Sequence, residues 1–442
     1  MKKIPYQTGL SRRQFLARTG AALVLPTIVP SSVFGLGDKP APSNRITLGV
    51  VGWGMQGPGN TKAFLELQDC QVVAACDLDK NHLGSAVDTV NEHYGNKDCK
   101  AYHDYRELMA RKDIDAMMIA VPDHWHEGVA VEALNNKKDV YGEKPLAKTI
   151  AEQQRIVQAV QKNKRIWQTG SWQRSVGNFH KGAEIVRNGL IGKVTHVEVG
   201  LPSGHNDFAK TRQFMVVTEA PPELDYEMWI GPSKMEPYIK GRVHMNWRWN
   251  YNTGGGQLMD WIGHHCDIAH WGMDADNSGP SEIEGHGDFP DRDAVWNTCT
   301  KYRAELKYPN DITMTIAGGH SDIKMGTKWI GTDGWVHVDR GAFESSKPEW
   351  DDFKTLPEEM RKVKLYKSGN HKGNFIECVK SRQPTITPVE TAHHSAIPGH
   401  LALISMLVGR KLKWDVKREH ILHDDAATKL MSREYRKPWK MA

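Results

Sequence analysis

A glycine-spaced turn between a strand and a helix constrains this chain more than any other feature in it. Residues 44–51 read Asn-Arg-Ile-Thr-Leu-Gly-Val-Val, a β-branched apolar run of the kind buried on both faces of a parallel sheet. The run opens into Gly52-Trp53-Gly54-Met55-Gln56-Gly57. At that spacing the first glycine turns the chain, the second lets backbone approach a pyrophosphate, and the third packs helix on strand. The phosphates then sit at the helix N-terminus. In a chain with 40 glycines the hexapeptide is weak by itself, and its surroundings strengthen it. Gln71 to Cys76 reads as a second strand ending in Asp77, about 20 residues past Gly57, where a carboxylate receives ribose hydroxyls and repels a 2′-phosphate. That favours NAD over NADP. Asp77-Leu78-Asp79-Lys80 is also a helix N-cap signal, and the two roles are compatible.

The alternation continues with helical stretches at 80–94, 104–111 and 127–135 and strands at 114–121 and 139–142. Such a βαβ series predicts a doubly wound parallel sheet over 44–165, with its ligand at the C-terminal strand edge. Over 166–442 the pattern changes to strands at 195–200, 311–317 and 335–338 between long loops, then helices at 374–381 and 397–409. This predicts an α+β second domain with a large open, mainly antiparallel sheet. A length of 442 residues suits two cores rather than one.

Residues 1–43 read as an address and linker. Lys2 and Lys3 precede Ser11-Arg12-Arg13-Gln14-Phe15-Leu16, a mildly apolar stretch from Ala17 to Val29, and a Pro, Ser and Gly-rich stretch from Pro30 to Ser43. The segment resembles a twin-arginine export signal, which implies a periplasmic or otherwise exported protein. Its apolar run is shorter than the roughly 20 residues a bilayer needs, and no later segment is apolar enough, so no stable membrane span is expected. The net charge of +5, from 58 basic and 53 acidic residues, is dispersed and leaves no footprint for nucleic acid. Cys70, Cys76, Cys99, Cys266, Cys299 and Cys378 lie far apart without metal-like spacing and read as small buried apolar residues.

The strand at 139–142 runs into Glu143-Lys144-Pro145, which puts a lysine at the sheet edge where a nicotinamide would lie. Pro145 restricts Lys144 to an extended conformation and so fixes its direction. A lysine there can hydrogen-bond a substrate hydroxyl and help remove its proton as hydride leaves the same carbon. After Thr253-Gly254-Gly255-Gly256, residues 257–271 have helical character, with Asp260 and His264 one turn apart on one face. A carboxylate beside an imidazole can orient it and raise its basicity. Asp260, His264, His265, Asp267 and His270 are dense in metal-ligating types, but there is no H-E-x-x-H, no cysteine partner and no third ligand at fixed spacing. No catalytic metal is expected, and His265 reads as a substrate contact or a buried hydrogen-bonded residue. Asn246-Trp247-Arg248-Trp249-Asn250-Tyr251 combines aromatic faces with forked donors, as a carbohydrate requires, although core packing explains the tryptophans equally well. His371 and Asn374 are candidates to extend the site.

The glycine hexapeptide, Pro122-Asp123-His124-Trp125-His126, Glu143-Lys144-Pro145 and the G-G-G-x-L-x-D-x-x-x-H helix together resemble the Gfo/Idh/MocA oxidoreductases, over nearly everything from Asn44 onward. The resemblance implies a catalytic set of Lys144, Asp260 and His264 at the nicotinamide C4. Cofactor contacts are implied from Gly52, Gly54, Met55, Gln56, Gly57, Asp77, Asp123, His126, Glu143 and Lys144, with Trp172, Gln173 and Arg174 lining the nicotinamide side. Arg174, Trp247, Arg248 and His265 join the catalytic set toward substrate. The resemblance also implies a homo-oligomer formed through the second domain's sheet. The activity it implies is NAD-dependent oxidation or reduction of a secondary hydroxyl of a sugar, sugar derivative or glycoside, with bound NAD recycled in place. Three alternatives stay open: a redox-neutral glycosidase, a two-substrate enzyme of the glucose-fructose oxidoreductase type, and a non-catalytic sugar-binding member.

Overall fold

The computed structural model describes residues 44–441. Both parts of the predicted fold class are present. Strands β1 (Ile46–Val51), β2 (Cys70–Cys76), β3 (Lys100–Tyr102), β4 (Ala116–Ile119), β5 (Asp139–Gly142) and β6 (Trp167–Thr169) alternate with helices α1 (Gly57–Leu65), α2 (Lys80–Tyr94), α3 (Tyr105–Met109), α4 (His126–Asn135) and α5 (Ile150–Asn163). The sheet order is β3-β2-β1-β4-β5-β6, all parallel, so the chain reverses direction beside β1 and opens a crevice at the strand C-termini. β4 and β5 are buried on both faces, and β4, Ala-Met-Met-Ile, accordingly reads as a continuous apolar run.

The boundary at 165 expected from sequence is early. Trp167–Thr169 is the sixth strand of the parallel sheet, paired with Val140–Gly142. Three residues are too few to show a periodicity, and Trp167 belongs to the core beneath α4 and α5.

Beyond it, α6 (Gly177–Arg187) leads into β7 (Val194–Leu201) and, after a long excursion, α7 (Gly256–Gly272). Strands β8 (Glu282–Asp288), β9 (Lys301–Lys307), β10 (Thr313–Gly318), β11 (Gly326–Gly331), β12 (Trp335–Asp339) and β13 (Ala342–Ser345) follow. Helices α8 (His371–Ser381) and α9 (Val389–Val408) precede β14 (Leu412–Asp415) and β15 (His420–Leu422). These strands form one nine-stranded sheet, β13-β12-β11-β7-β10-β9-β8-β14-β15, antiparallel except for β7 beside β10. One face buries the inward residues of β7, β9 and β10 against α6, α7 and α9. The other carries polar side chains, with Arg303 bonded to Glu305 and Asp322. Helix α8 returns to the parallel sheet, where Phe375 and Ile376 pack with Phe64 and Tyr141.

The predicted signal and linker, residues 1–43, lie outside the described residues. All six cysteines are buried and free, and no described helix is long and apolar enough to cross a membrane.

Candidate functional site

The glycine turn has the geometry its spacing predicts. Gly52 has φ +92°, and a Cβ there would lie 2.4 Å from the Ala120 carbonyl oxygen; a Cβ on Gly57 would lie 2.1 Å from that of Gly52. A Cβ on Gly54, by contrast, would meet nothing within 4 Å, so the middle of the turn faces open space. From there a cleft runs past Met55, Gln56 and Asp77 to Asp123, His126, Glu143, Lys144, Trp247 and Arg248. Its open glycine floor, the strand-end carboxylate and the lysine at its far end fit an extended dinucleotide.

Asp77 is pinned from below. Its carboxylate accepts from Trp53 N at 2.6 Å and Asp79 N at 2.9 Å. Burial raises its pKa, against the pull of those amides and of His82. The N-cap of α2 is Asp79, whose Oδ1 accepts from Asn81 N and His82 N, and not Asp77. His126 lines the cleft with both ring nitrogens turned to backbone carbonyls, Nδ1 2.7 Å from Pro145 O and Nε2 2.9 Å from Val121 O. It therefore braces the turn that carries Lys144 and has no nitrogen left for the cofactor. Glu143 accepts from Asn60 on α1 at 2.8 Å. Asp123 is wholly buried, and desolvation lifts its carboxyl to about 6.

Lys144 and α7 meet closely. A Cβ on Gly263 would lie 3.0 Å from the Lys144 Cβ, so glycine lets the lysine stem lie against the helix. Lys144 Nζ donates to the Asp260 carbonyl oxygen and to Asp260 Oδ1, both at 3.0 Å. Arg248 Nε donates to the same Oδ1 at 3.1 Å, and its guanidinium stacks 4.4 Å over Trp247. Burial works to raise the Asp260 carboxyl, but Lys144 and Arg248 outweigh it and hold the group well below the usual carboxylate range. An ammonium has three protons, and two point at Asp260; the third is free for a substrate oxygen.

His264 departs from expectation. Asp260 is committed to the two cations, and His264 Nδ1 is buried without a partner. Burial, then Lys144, Arg340 and His265, push its pKa well below the ordinary value, and the carboxylate only partly offsets them. The imidazole is neutral, a proton acceptor whose basicity is lowered rather than raised.

Five expected contacts move behind the site. The Arg174 guanidinium, 2% exposed, is consumed by Asp267 at 2.8 Å and Asp276 at 2.7 Å, so it holds neither cofactor nor substrate. Gln173 is buried and donates to His265 Nδ1 at 3.3 Å. His265 is itself fully buried against Trp261, with its pKa pushed down to about 3 by burial; it supports the site rather than touching ligand. His371 donates to the Thr169 carbonyl, and Asn374 Nδ2 donates to the Tyr366 hydroxyl, so both are structural.

Sequence reasoning missed Arg340, in the turn between β12 and β13. Its guanidinium, exposed on the surface, stacks 4.9 Å from the half-buried Trp172 and 4.4 Å from Trp261, close enough to His264 and Asp260 to bear on both charges. No described carboxylate pairs with it.

Two family models divide the chain. An oxidoreductase-family NAD-binding Rossmann fold matches residues 46–171, and the oxidoreductase-family C-terminal alpha/beta domain matches 176–441. The chain belongs to the Gfo/Idh/MocA oxidoreductase family. Its N-terminal domain is accordingly an NAD-binding one. An inositol 2-dehydrogenase from Salmonella paratyphi B is 35% identical over 147 residues, 33% of this chain and 42% of the relative. A glycosyl hydrolase family 109 protein from Shewanella woodyi is 32% identical over 162 residues, 35% of this chain and 34% of the relative. The chain thus matches less than half the length of these curated relatives. Solved structures share the fold across both domains. Myo-inositol 2-dehydrogenase from Lactobacillus plantarum aligns at TM-score 0.58 and 16% identity, covering 84% of this chain and 99% of that one. Aldose-aldose oxidoreductase from Caulobacter crescentus aligns at 0.59 and 17%, covering 84% and 99%.

Proposed function

We propose that this protein is an NAD-dependent oxidoreductase acting on a secondary hydroxyl of a sugar, sugar derivative or glycoside, with NAD held tightly and recycled in place. The observation that carries this reading is Lys144, held by Asp260 at the end of the cofactor cleft with one ammonium proton free, beside a neutral His264. When bound, the nicotinamide supplies the hydride acceptor or donor. The chain's own residues manage the proton. Lys144 holds the substrate oxygen, His264 takes the hydroxyl proton as the C–H bond breaks, and the reverse direction returns it. Asp260 and Arg248 fix the ammonium, while Trp247, in the cleft wall, offers a flat face for a sugar ring.

The likeness to a glycosyl hydrolase family 109 protein favours a second reading. Transient oxidation acidifies the neighbouring C–H, the aglycone is eliminated, water adds and the hydride returns, with no net redox change. A two-substrate exchange between sugars uses the same set, whereas a binding-only member has no use for it.

The protein purified without added nucleotide, given a panel of sugars and glycosides, tests these readings. A lasting reduced-nicotinamide band stoichiometric with protein supports the dehydrogenase; aglycone release without one supports the glycosidase. No nucleotide binding, even after NAD is added, overturns both. Twin-arginine export rests on Arg12-Arg13 and its context, and substitution of both arginines by lysine tests it through loss of periplasmic processing. Pairing of copies over the open sheet face is tested by light scattering.

A further inference from the structure

Far from the cleft, the start of α9 meets the β14–β15 hairpin through three side chains of metal-ligating type. His393 Nε2 lies 3.0 Å from Glu419 Oε2, and His394 Nε2 lies 3.2 Å from Glu419 Oε1. The hydrogen bonds behind the two rings decide where their protons are. His394 Nδ1 lies 2.7 Å from the Asp276 carbonyl oxygen, an acceptor only, so that nitrogen carries hydrogen. His393 Nδ1 lies 2.9 Å from Gln153 Oε1.

The orientation of Gln153 is set in turn by His400. Gln153 Nε2 lies 2.7 Å from His400 Nε2. His400 is fully buried, its pKa pushed down to about 3 by desolvation, so it carries one proton, and its hydrogen bond to the Ala147 backbone uses that proton. Its Nε2 must therefore accept from the Gln153 amide, and Gln153 Oε1 must accept from His393. Both rings then turn Nε2 toward one carboxylate: a protonated nitrogen pairs there with Glu419, and a metal that displaces the proton meets two imidazole nitrogens and a carboxylate oxygen already converged.

We propose that His393, His394 and Glu419 bind a divalent transition-metal cation of the zinc class, through two imidazole nitrogens and one carboxylate, and that the ion fastens α9 to the β14–β15 hairpin. The spacing fits: metal–ligand bonds of roughly 2.0–2.2 Å in a tetrahedral site put neighbouring ligand atoms a little over ~3 Å apart. Nδ1–H donation to a carbonyl or amide oxygen is the outer-shell support that ligating histidines use. His393 is 3% exposed, but His394 and Glu419 are 22% and 24% exposed, which leaves an entry path and a place for water as fourth ligand.

The test is a calorimetric titration with zinc alone of the full chain, stripped with chelator and saturated with NAD. NAD is included because Asp79, His82 and His244, a second such group, line the cleft proposed to hold it. The expected result is one equivalent of zinc, with affinity lowered more than about 100-fold in His394→Ala and Glu419→Gln. Gln153→Leu lowers it by about 10- to 100-fold, as loss of outer-shell support does. Zinc raises the Tm of the wild type and not of the two ligand variants. Wild-type protein that takes up no zinc, or uptake unchanged in both ligand variants, overturns the site. So do 15N imidazole signals showing both rings still doubly protonated at neutral pH in the zinc-treated protein.

Discussion

Helix α7 carries two charge clusters seven residues apart, so nearly on one face, and they are opposites. Toward its start, one carboxylate, Asp260, lies between two cations, Lys144 and Arg248. Two turns on, one cation, Arg174, lies between two carboxylates, Asp267 and Asp276. The first has cationic excess and a spare ammonium proton beside the cleft, which suits a substrate oxygen gaining negative charge. The second has anionic excess and is closed. Burial lifts Asp267 to about 6 despite Arg174. The same residue types therefore leave a donor facing the cleft at one end of a helix and saturate one another at the other, and what separates them is whether any donor is left over.

Removing the cation from each cluster tests that contrast. Lys144→Met lowers turnover by about 100- to 1,000-fold, the range for a lost donor to an oxygen that gains negative charge, while the urea midpoint stays near wild type because Arg248 still faces Asp260. Arg174→Met does the reverse. It strands buried carboxylates and lowers unfolding free energy by about 3–5 kcal/mol, with NAD affinity little changed in the protein that remains folded. Equal effects of the two substitutions on turnover and stability would break the comparison.

The candidate set was legible because each member is announced by local structure: Lys144 ends a strand, and Asp260 and His264 share a helix face. The glycine turn was legible because its geometry is enforced by backbone collisions that only glycine avoids. Arg174 was misread for a physical reason. Its forked donors follow Trp172-Gln173 and look like ligand contacts, and only the fold shows that Asp267 and Asp276, about a hundred residues later, saturate them. The low basicity of His264 was equally out of reach, since it comes from desolvation and from cations contributed by other segments.

Proton uptake separates the two ends next. His270, fully buried near the closed cluster and bonded to the Tyr308 hydroxyl at 2.7 Å, has its pKa lowered to about 3 by burial. The unfolded chain protonates this group near 6.5 and the native chain does not. Stability therefore falls as pH drops below about 6.5, by about 1.4 kcal/mol per pH unit for such a histidine, until its native pKa is reached. Denaturant titrations in wild type and His270→Gln measure that slope, which is shallower in the variant. At the open end the same sign governs rate. The neutral form of His264 persists into acid, so the acid limb of kcat/KM due to this group falls below the ordinary histidine range.

The smallest effect expected is at Arg340, and it sharpens the comparison most finely. This guanidinium adds a third cation to the open end, reaching it from the β12–β13 turn between Trp172 and Trp261. It touches neither Lys144 nor Asp260 through a described hydrogen bond, so its contribution is to ligand binding and to keeping His264 unprotonated. Arg340→Ala is expected to raise the substrate KM about 10-fold, equivalent to about 1.4 kcal/mol, with a smaller change in kcat. Losing a nearby positive charge also moves the acid limb of kcat/KM upward in pH, because His264 then protonates more readily. Arg340→Lys keeps the charge but not the flat stacking surface, so it restores the acid limb without restoring KM. If both variants alter kcat alone, Arg340 belongs with the proton-transfer set; if neither changes KM or the pH profile, the turn only covers the tryptophans.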